Sequence, residues 1–208
     1  MKGASGSQLT QMTRTERRAA MSLAGIFALR MIGLFMILPI FSLYVGKLHG
    51  ATPQLVGLAL GIYGLTQGLL QIPFGMLSDR FGRKRIILIG LLLFALGSVV
   101  AALSESIYWI IIGRALQGAG AVGAAVLALA ADLTREEHRT KAMATIGMTI
   151  GLSFAAAMVI GPVLNHWIGL HGIFWFTSVM ALGGMAILMF AVPQPVHSRI
   201  HRDAEPVP

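Results

Sequence analysis

The chain has 208 residues, 56% hydrophobic and 12% charged, with a mean hydropathy of +0.77 and a formal net charge of +8. Soluble domains carry about 25% charged residues, so no water-soluble fold could hide this apolar surface, and the bilayer must be part of the chain's solvent. The absence of cysteine excludes disulfides and thiolate metal sites. The bases gather in short loops between apolar runs rather than along one face, which argues against nucleic acid as a partner.

Residues 1–19 are polar and basic. The apolar run after them is too long for the core of a cleavable signal and contains Arg30, so it reads as a retained first span. Thr13 and Glu16 have capping-box spacing and predict a short cytoplasmic helix leading into it. A crossing needs about 20 apolar residues, and six segments qualify: residues 20–46, 54–77, 86–103, 108–131, 142–169 and 172–192. Backbone satisfaction in lipid makes them helices. The expectation is an all-α polytopic membrane protein. A cytoplasmic segment 1–19 precedes a six-helix bundle 20–192, and a linker or disordered tail 193–208, with four prolines, follows it.

Orientation follows from the bases. Lys2, Arg14, Arg17 and Arg18 precede the first span; Arg80, Arg83, Lys84 and Arg85 follow the second. Arg135, Arg139 and Lys141 follow the fourth, and Arg199 and Arg202 lie beyond the sixth. The opposite side has only Lys47, so both termini are expected in the cytoplasm.

Two arginines remain inside spans, Arg30 and Arg114, each costing about 2.5–3.5 kcal/mol on insertion scales. Such residues face a bundle interior or a water-filled path, or bond to carbonyls of a neighbouring helix. Gln117, Gly118 and Gly120 follow Arg114 and add a polar group and room for close helix approach. Tyr63, Gln67 and Gln71 recur every four residues and put a polar stripe on one face of the second helix, toward a cavity or an interhelical hydrogen bond. Gly57, Gly61, Gly64 and Gly68 form a separate stripe suited to tight helix packing.

Pro73 sits late in the second helix and Gly161-Pro162 late in the fifth, as common membrane kinks or as bends that shape a gate. An early arginine in spans one and four, and a late proline in spans two and five, suggest an inverted three-plus-three repeat. In the tight loop after the second span, Asp79 is the only acid, with Arg83 four residues on. Asp132, at the cytoplasmic end of the fourth helix, is within reach of the same bases.

Gly75-x-Leu77-x-Asp79-Arg80-x-Gly82-Arg83-Lys84 resembles motif A of the major facilitator superfamily, and Arg114-x-x-Gln117-Gly118-x-Gly120 resembles its motif B. Gly147, Gly151 and Gly161-Pro162 resemble motif C of the drug:proton antiporter branch, although Val163-Leu164-Asn165-His166 stands where small residues are usual. Over residues 14–193 the chain is similar to the N-terminal half of bacterial inner-membrane transporters of this superfamily.

The resemblance implies a six-helix bundle that packs on a second one, moving small molecules between them by alternating access, with efflux and proton coupling as the branch's habit. It implies that Asp79, Arg83 and Asp132 form a latch for the outward-facing state. Arg114 would inherit a role in coupling. Arg30, Tyr63, Gln67 and Gln71 are the cavity candidates.

The chain stops where the family's central linker begins. The expectation is a fragment, a truncated gene product, or a half-transporter pairing with another copy. The alternative function is a half-size membrane protein that regulates a partner without transporting. No carboxylate lies well inside a span, and His166 is the only histidine that does. With no His/acid metal cluster, cysteine nucleophile or phosphate loop, neither an enzyme nor a cofactor is expected.

Overall fold

The computed structural model describes residues 11–44 and 48–193. The predicted tail beyond 193, with Lys2, Lys47, Arg199 and Arg202, lies outside the described residues. The order is α1 (Arg14–Tyr44), α2 (Pro53–Phe81), α3 (Arg83–Ala102), α4 (Ile107–Ala119), α5 (Gly123–Asp132) and α6 (Glu136–Phe190), with no named strand among the described residues. Among the described residues five helical stretches, α4 and α5 counted together, are long and apolar enough to cross a membrane. At about 1.5 Å per residue, the 20 residues of α3 match a hydrocarbon core of about 30 Å.

The capping box exists, but it caps α1 itself rather than a separate short helix. Glu16 N donates to Thr13 Oγ1 at 3.2 Å and Thr13 N to Glu16 Oε2 at 2.7 Å, after which α1 runs unbroken to Tyr44. Pro39, which the sequence reading did not single out, lies inside α1, just as Pro73 lies inside α2 and Pro162 inside α6.

The 55-residue α6 is interrupted at Gly169, whose φ of 65° and ψ of −175° are not helical. Its two parts run along α1 in opposite senses. Ser153 Oγ donates to Ala28 O and Gly161 packs on Met36, so the first part ascends with α1. Thr177 Oγ1 donates to Gly33 O and Gly183 meets Leu29, so the second part descends. Arg18 of α1 accordingly reaches Phe190 O at the far end of α6.

The span expected at 108–131 is broken into α4 and α5 at Gly120–Val122. The cause is close packing on α3. A Cβ on Gly120 would stand 2.2 Å from Gly90 O, and one on Gly90 2.3 Å from Val122 Cγ1. One heptad along, a Cβ on Gly97 would stand 2.5 Å from Gly113 O, and one on Gly113 2.7 Å from Gly97 O. These pairs bring two backbones together as small residues do in membrane helix interfaces.

The stripe expected to do so does not. Gly57, Gly61, Gly64 and Gly68 are exposed, and a Cβ at any of them would meet nothing within 4 Å. The face of α2 that carries them is turned away from the other described helices, so the stripe has nothing to pack on.

The start of α1, the end of α6 and the basic turns lie at one end of the bundle. There Arg135 reaches Glu16, and Lys84 donates to Val192 O. At the other end His49 N donates to Glu105 O at 3.2 Å, tying the α1–α2 and α3–α4 connections together. Two apolar clusters fill the interior. One contains Leu23, Phe27, Leu91, Phe94 and Leu129, and the other Met36, Ile40, Ala59, Ile110 and Phe174.

Candidate functional site

Between those clusters lies a polar layer. Arg30 and Arg114 are each only 1% exposed. Arg114 Nε donates to Ala59 O at 3.3 Å and its Nη1 to Gln117 Oε1 at 2.8 Å. Gln117 Nε2 donates to Ser98 Oγ at 2.7 Å, and Ser98 Oγ to Phe94 O at 2.8 Å. The Arg114 guanidinium sits 4.7 Å from the Tyr63 ring centroid, a desolvated cation–π contact that offsets part of its burial cost.

Arg30 approaches the same ring at 6.0 Å and the Phe94 ring at 5.3 Å. Its Nη2 donates to Gln67 Oε1 at 3.2 Å and to Gly120 O at 3.1 Å. Gly120 O also accepts from Val122 N at 2.9 Å, so Arg30 is a second donor to a carbonyl within the break between α4 and α5. Its Nε and Nη1, and the Tyr63 hydroxyl, have no hydrogen-bond partner among the described residues. No carboxylate forms an ion pair with either arginine among the described residues. Gln71 is one turn farther along α2, with its Oε1 3.6 Å from where a Cβ on Gly123 would stand.

Of the two readings of the polar stripe, Gln67 realises the interhelical hydrogen bond. Gly118 lies where α2 and α4 meet, since a Cβ on it would fall 2.0 Å from Thr66 Oγ1 and 2.3 Å from Tyr63 O.

The second centre is the turn between α2 and α3, made by Gly82 alone. Its φ of 98° and ψ of 133° suit only glycine. The turn folds Arg83 back so that Nη1 pairs with Asp79 Oδ1 and donates to Ser78 Oγ at 2.8 Å, while Nε donates to Asp132 Oδ2 at 3.1 Å. One guanidinium thus joins the ends of α2, α3 and α5. The Asp79 side chain remains 63% exposed.

The other motif residues are not in this clasp. Arg80 stacks on Phe81 at 5.7 Å, Lys84 donates to Val192 O, Leu77 is exposed, and Gly75 packs toward Ala124. Beside the clasp, Arg135 Nε and backbone N both donate to Glu16 Oε1 at 2.9 Å. The hydrogen bond from that carboxylate holds the Arg135 guanidinium above its usual range. The sequence reading missed this pair, whose members are 119 positions apart.

Gly147 and Gly151 on α6 are exposed with nothing within 4 Å, whereas Gly161 packs on Met36, where a Cβ would stand 3.0 Å from its carbonyl oxygen. His166 is exposed and meets Trp167 edge to face. Among the described residues no group of His, Asp and Glu is arranged to hold a metal.

The family model for the Major Facilitator Superfamily matches residues 23–207. The chain belongs to the major facilitator superfamily. It is 54% identical over 194 residues to the inner membrane transport protein YajR of Escherichia coli, covering 93% of this chain and 43% of the relative. It is 46% identical over 182 residues to an uncharacterized transporter of Buchnera aphidicola, covering 88% and 47%. Among solved structures, the human organic anion transporter MFSD10 matches with a TM-score of 0.74 at 21% identity, over 88% of this chain and 49% of that one. That similarity shows a shared fold. The chain spans about half the length of the curated relatives it matches.

Proposed function

We propose that the chain is the N-terminal half of a secondary transporter in the bacterial inner membrane, with both termini cytoplasmic. It works against a second six-helix bundle, either a C-terminal half or another copy, to export small molecules in exchange for protons. The reversal of α6 at Gly169 supports counting its two parts as separate crossings, which gives six spans over 20–192 and is compatible with the three-plus-three repeat. Superfamily membership and the relative named as an inner membrane transport protein support the location.

The observation that carries the reading is the Arg83 clasp. A single cation ties Asp79 and Asp132 at the end of the bundle where the basic turns collect, while Asp79 keeps an open side. A second bundle can add or withdraw contacts at that open side and so bias the clasp. Because the pairs are partly solvated, each is worth about 0.2–1 kcal/mol, small enough to make and break during a cycle. The exposed glycine stripes of α2 and of the first part of α6 are the faces the partner bundle would cover. Arg114, held in the polar layer with Gln117, is assigned to coupling, and Arg30, Tyr63, Gln67 and Gln71 to the polar lining.

The test uses the natural full-length polypeptide. This half has no cysteine, so Met76→Cys, at a position 60% exposed on α2 near Asp79, is a clean reporter within it. Native cysteines elsewhere in the polypeptide are removed first. Asp79→Asn is expected to speed labelling from the cytoplasmic side and to impair transport, with membrane insertion unchanged. Equal labelling rates with intact transport would overturn the latch. Loss of insertion would make the turn a folding element instead.

A further inference from the structure

We propose that the groove between the start of α1 and the end of α6 is a binding site for one anionic phospholipid, held by its phosphodiester headgroup. A cavity of about 330 Å³ opens there, lined by Arg14, Thr15, Arg18 and residues 190–193. Among the described residues its walls carry two cations and a hydroxyl and no carboxylate. The one acid in the first turn of α1, Glu16, is committed elsewhere, to Thr13 and Arg135. Arg18 is braced across the groove by one bond, Nη2 to Phe190 O at 3.3 Å. Its other N–H groups, and all those of Arg14, have no protein partner among the described residues, so the charge is positioned and left unspent.

Exposed apolar side chains form a track that starts at the mouth of the groove with Phe190. Arg14, Arg18 and the exposed Met21 follow one another at i, i+4 and i+7 on one face of α1. Phe190, 81% exposed, sits at the mouth, and the outer face of the same part of α6, turned away from α1, carries Trp175, Val179, Leu182, Ala186 and Met189, all exposed at helical spacing. From 175 to 189 this stripe is about 21 Å long, enough for an acyl chain through one leaflet of about 15 Å. Free phosphate would use the arginines and leave this track empty, so the arrangement favours a lipid. Basic pockets at the cytoplasmic ends of membrane helices are known to select anionic headgroups.

The natural full-length polypeptide, delipidated in detergent, is titrated with phosphatidylglycerol, phosphatidylcholine or inorganic phosphate and followed by native mass spectrometry. One phosphatidylglycerol is expected to bind about 10- to 30-fold more tightly than phosphatidylcholine, the preference two interfacial arginines supply. Inorganic phosphate at millimolar concentration should not displace it.

Arg14→Gln with Arg18→Gln should bring phosphatidylglycerol to the phosphatidylcholine level, and the paired Lys variants should keep most of the preference. Arg85→Gln with Lys141→Gln, exposed bases outside the groove, should leave it intact. An equal loss in that control would mean diffuse surface charge and overturn the site. Full competition by phosphate would reduce the site to an anion hole and overturn the lipid. No preference in the unmodified protein would overturn both. Transport plays no part in any of these readouts, so the site stands or falls separately from the proposed function.

Discussion

Gly118→Ala tests the contact that holds the polar layer together. The added Cβ would stand 2.0 Å from Thr66 Oγ1 and 2.3 Å from Tyr63 O, against 3.4 Å for the near edge of ordinary contact. The threonine can turn away, but the Tyr63 carbonyl is helix backbone and cannot. α2 and α4 must therefore separate by roughly 1 Å, an overpacking cost of about 1–3 kcal/mol. The same shift loosens Tyr63 from the Arg114 guanidinium, now 4.7 Å away.

Unfolding of the detergent-solubilised protein measures the cost. Gly25→Ala on α1 is the control, because a Cβ there meets nothing within 4 Å and the position lies outside the glycine stripes. It should be neutral or stabilising by up to about 1 kcal/mol through helix propensity. Thr66→Ala combined with Gly118→Ala should recover only part of the loss, because the backbone clash remains. If Gly118→Ala is no worse than Gly25→Ala, or if Thr66→Ala restores full stability, α2 and α4 do not approach as described.

Gly82→Ala should destabilise by about 1–3 kcal/mol in the same assay although space is open around it, because φ of 98° strains any side chain; an unchanged midpoint would mean the turn relaxes. Glu16→Gln should cost about 1–3 kcal/mol by weakening the bonds to Arg135 and the α1 cap, and additional mutation of Arg135 should add little. Arg114→Ala should abolish proton-linked transport in the full-length polypeptide, and unchanged proton flux would sink its assignment. The same variant leaves Ala59 O and Gln117 Oε1 without this donor and should lower stability by about 1–3 kcal/mol.

The sequence by itself determined which segments leave water, because transfer of apolar residues into lipid is close to a sum over single positions. It also placed the basic turns together and found Arg30, Arg114, Asp79, Arg83 and Asp132, since a charge among apolar neighbours stands out in one dimension. The Arg83 clasp was legible for the same reason: two of its members lie four residues apart, and the third ends a neighbouring hydrophobic run.

Pairing and packing were not legible. Gly57 to Gly68 and Gly90, Gly97, Gly113 and Gly120 are all glycines at regular spacing, yet only the second set touches a neighbouring backbone. Which stripe is used depends on how helices far apart in the chain are oriented, and no local pattern records that. The break at Gly120–Val122, and the Arg30 bond to Gly120 O within it, follow from the same approach of α3 to α4. Tertiary structure alone decided these points, because which backbones approach, and which side chain then reaches Gly120 O, depends on helices far apart in the chain.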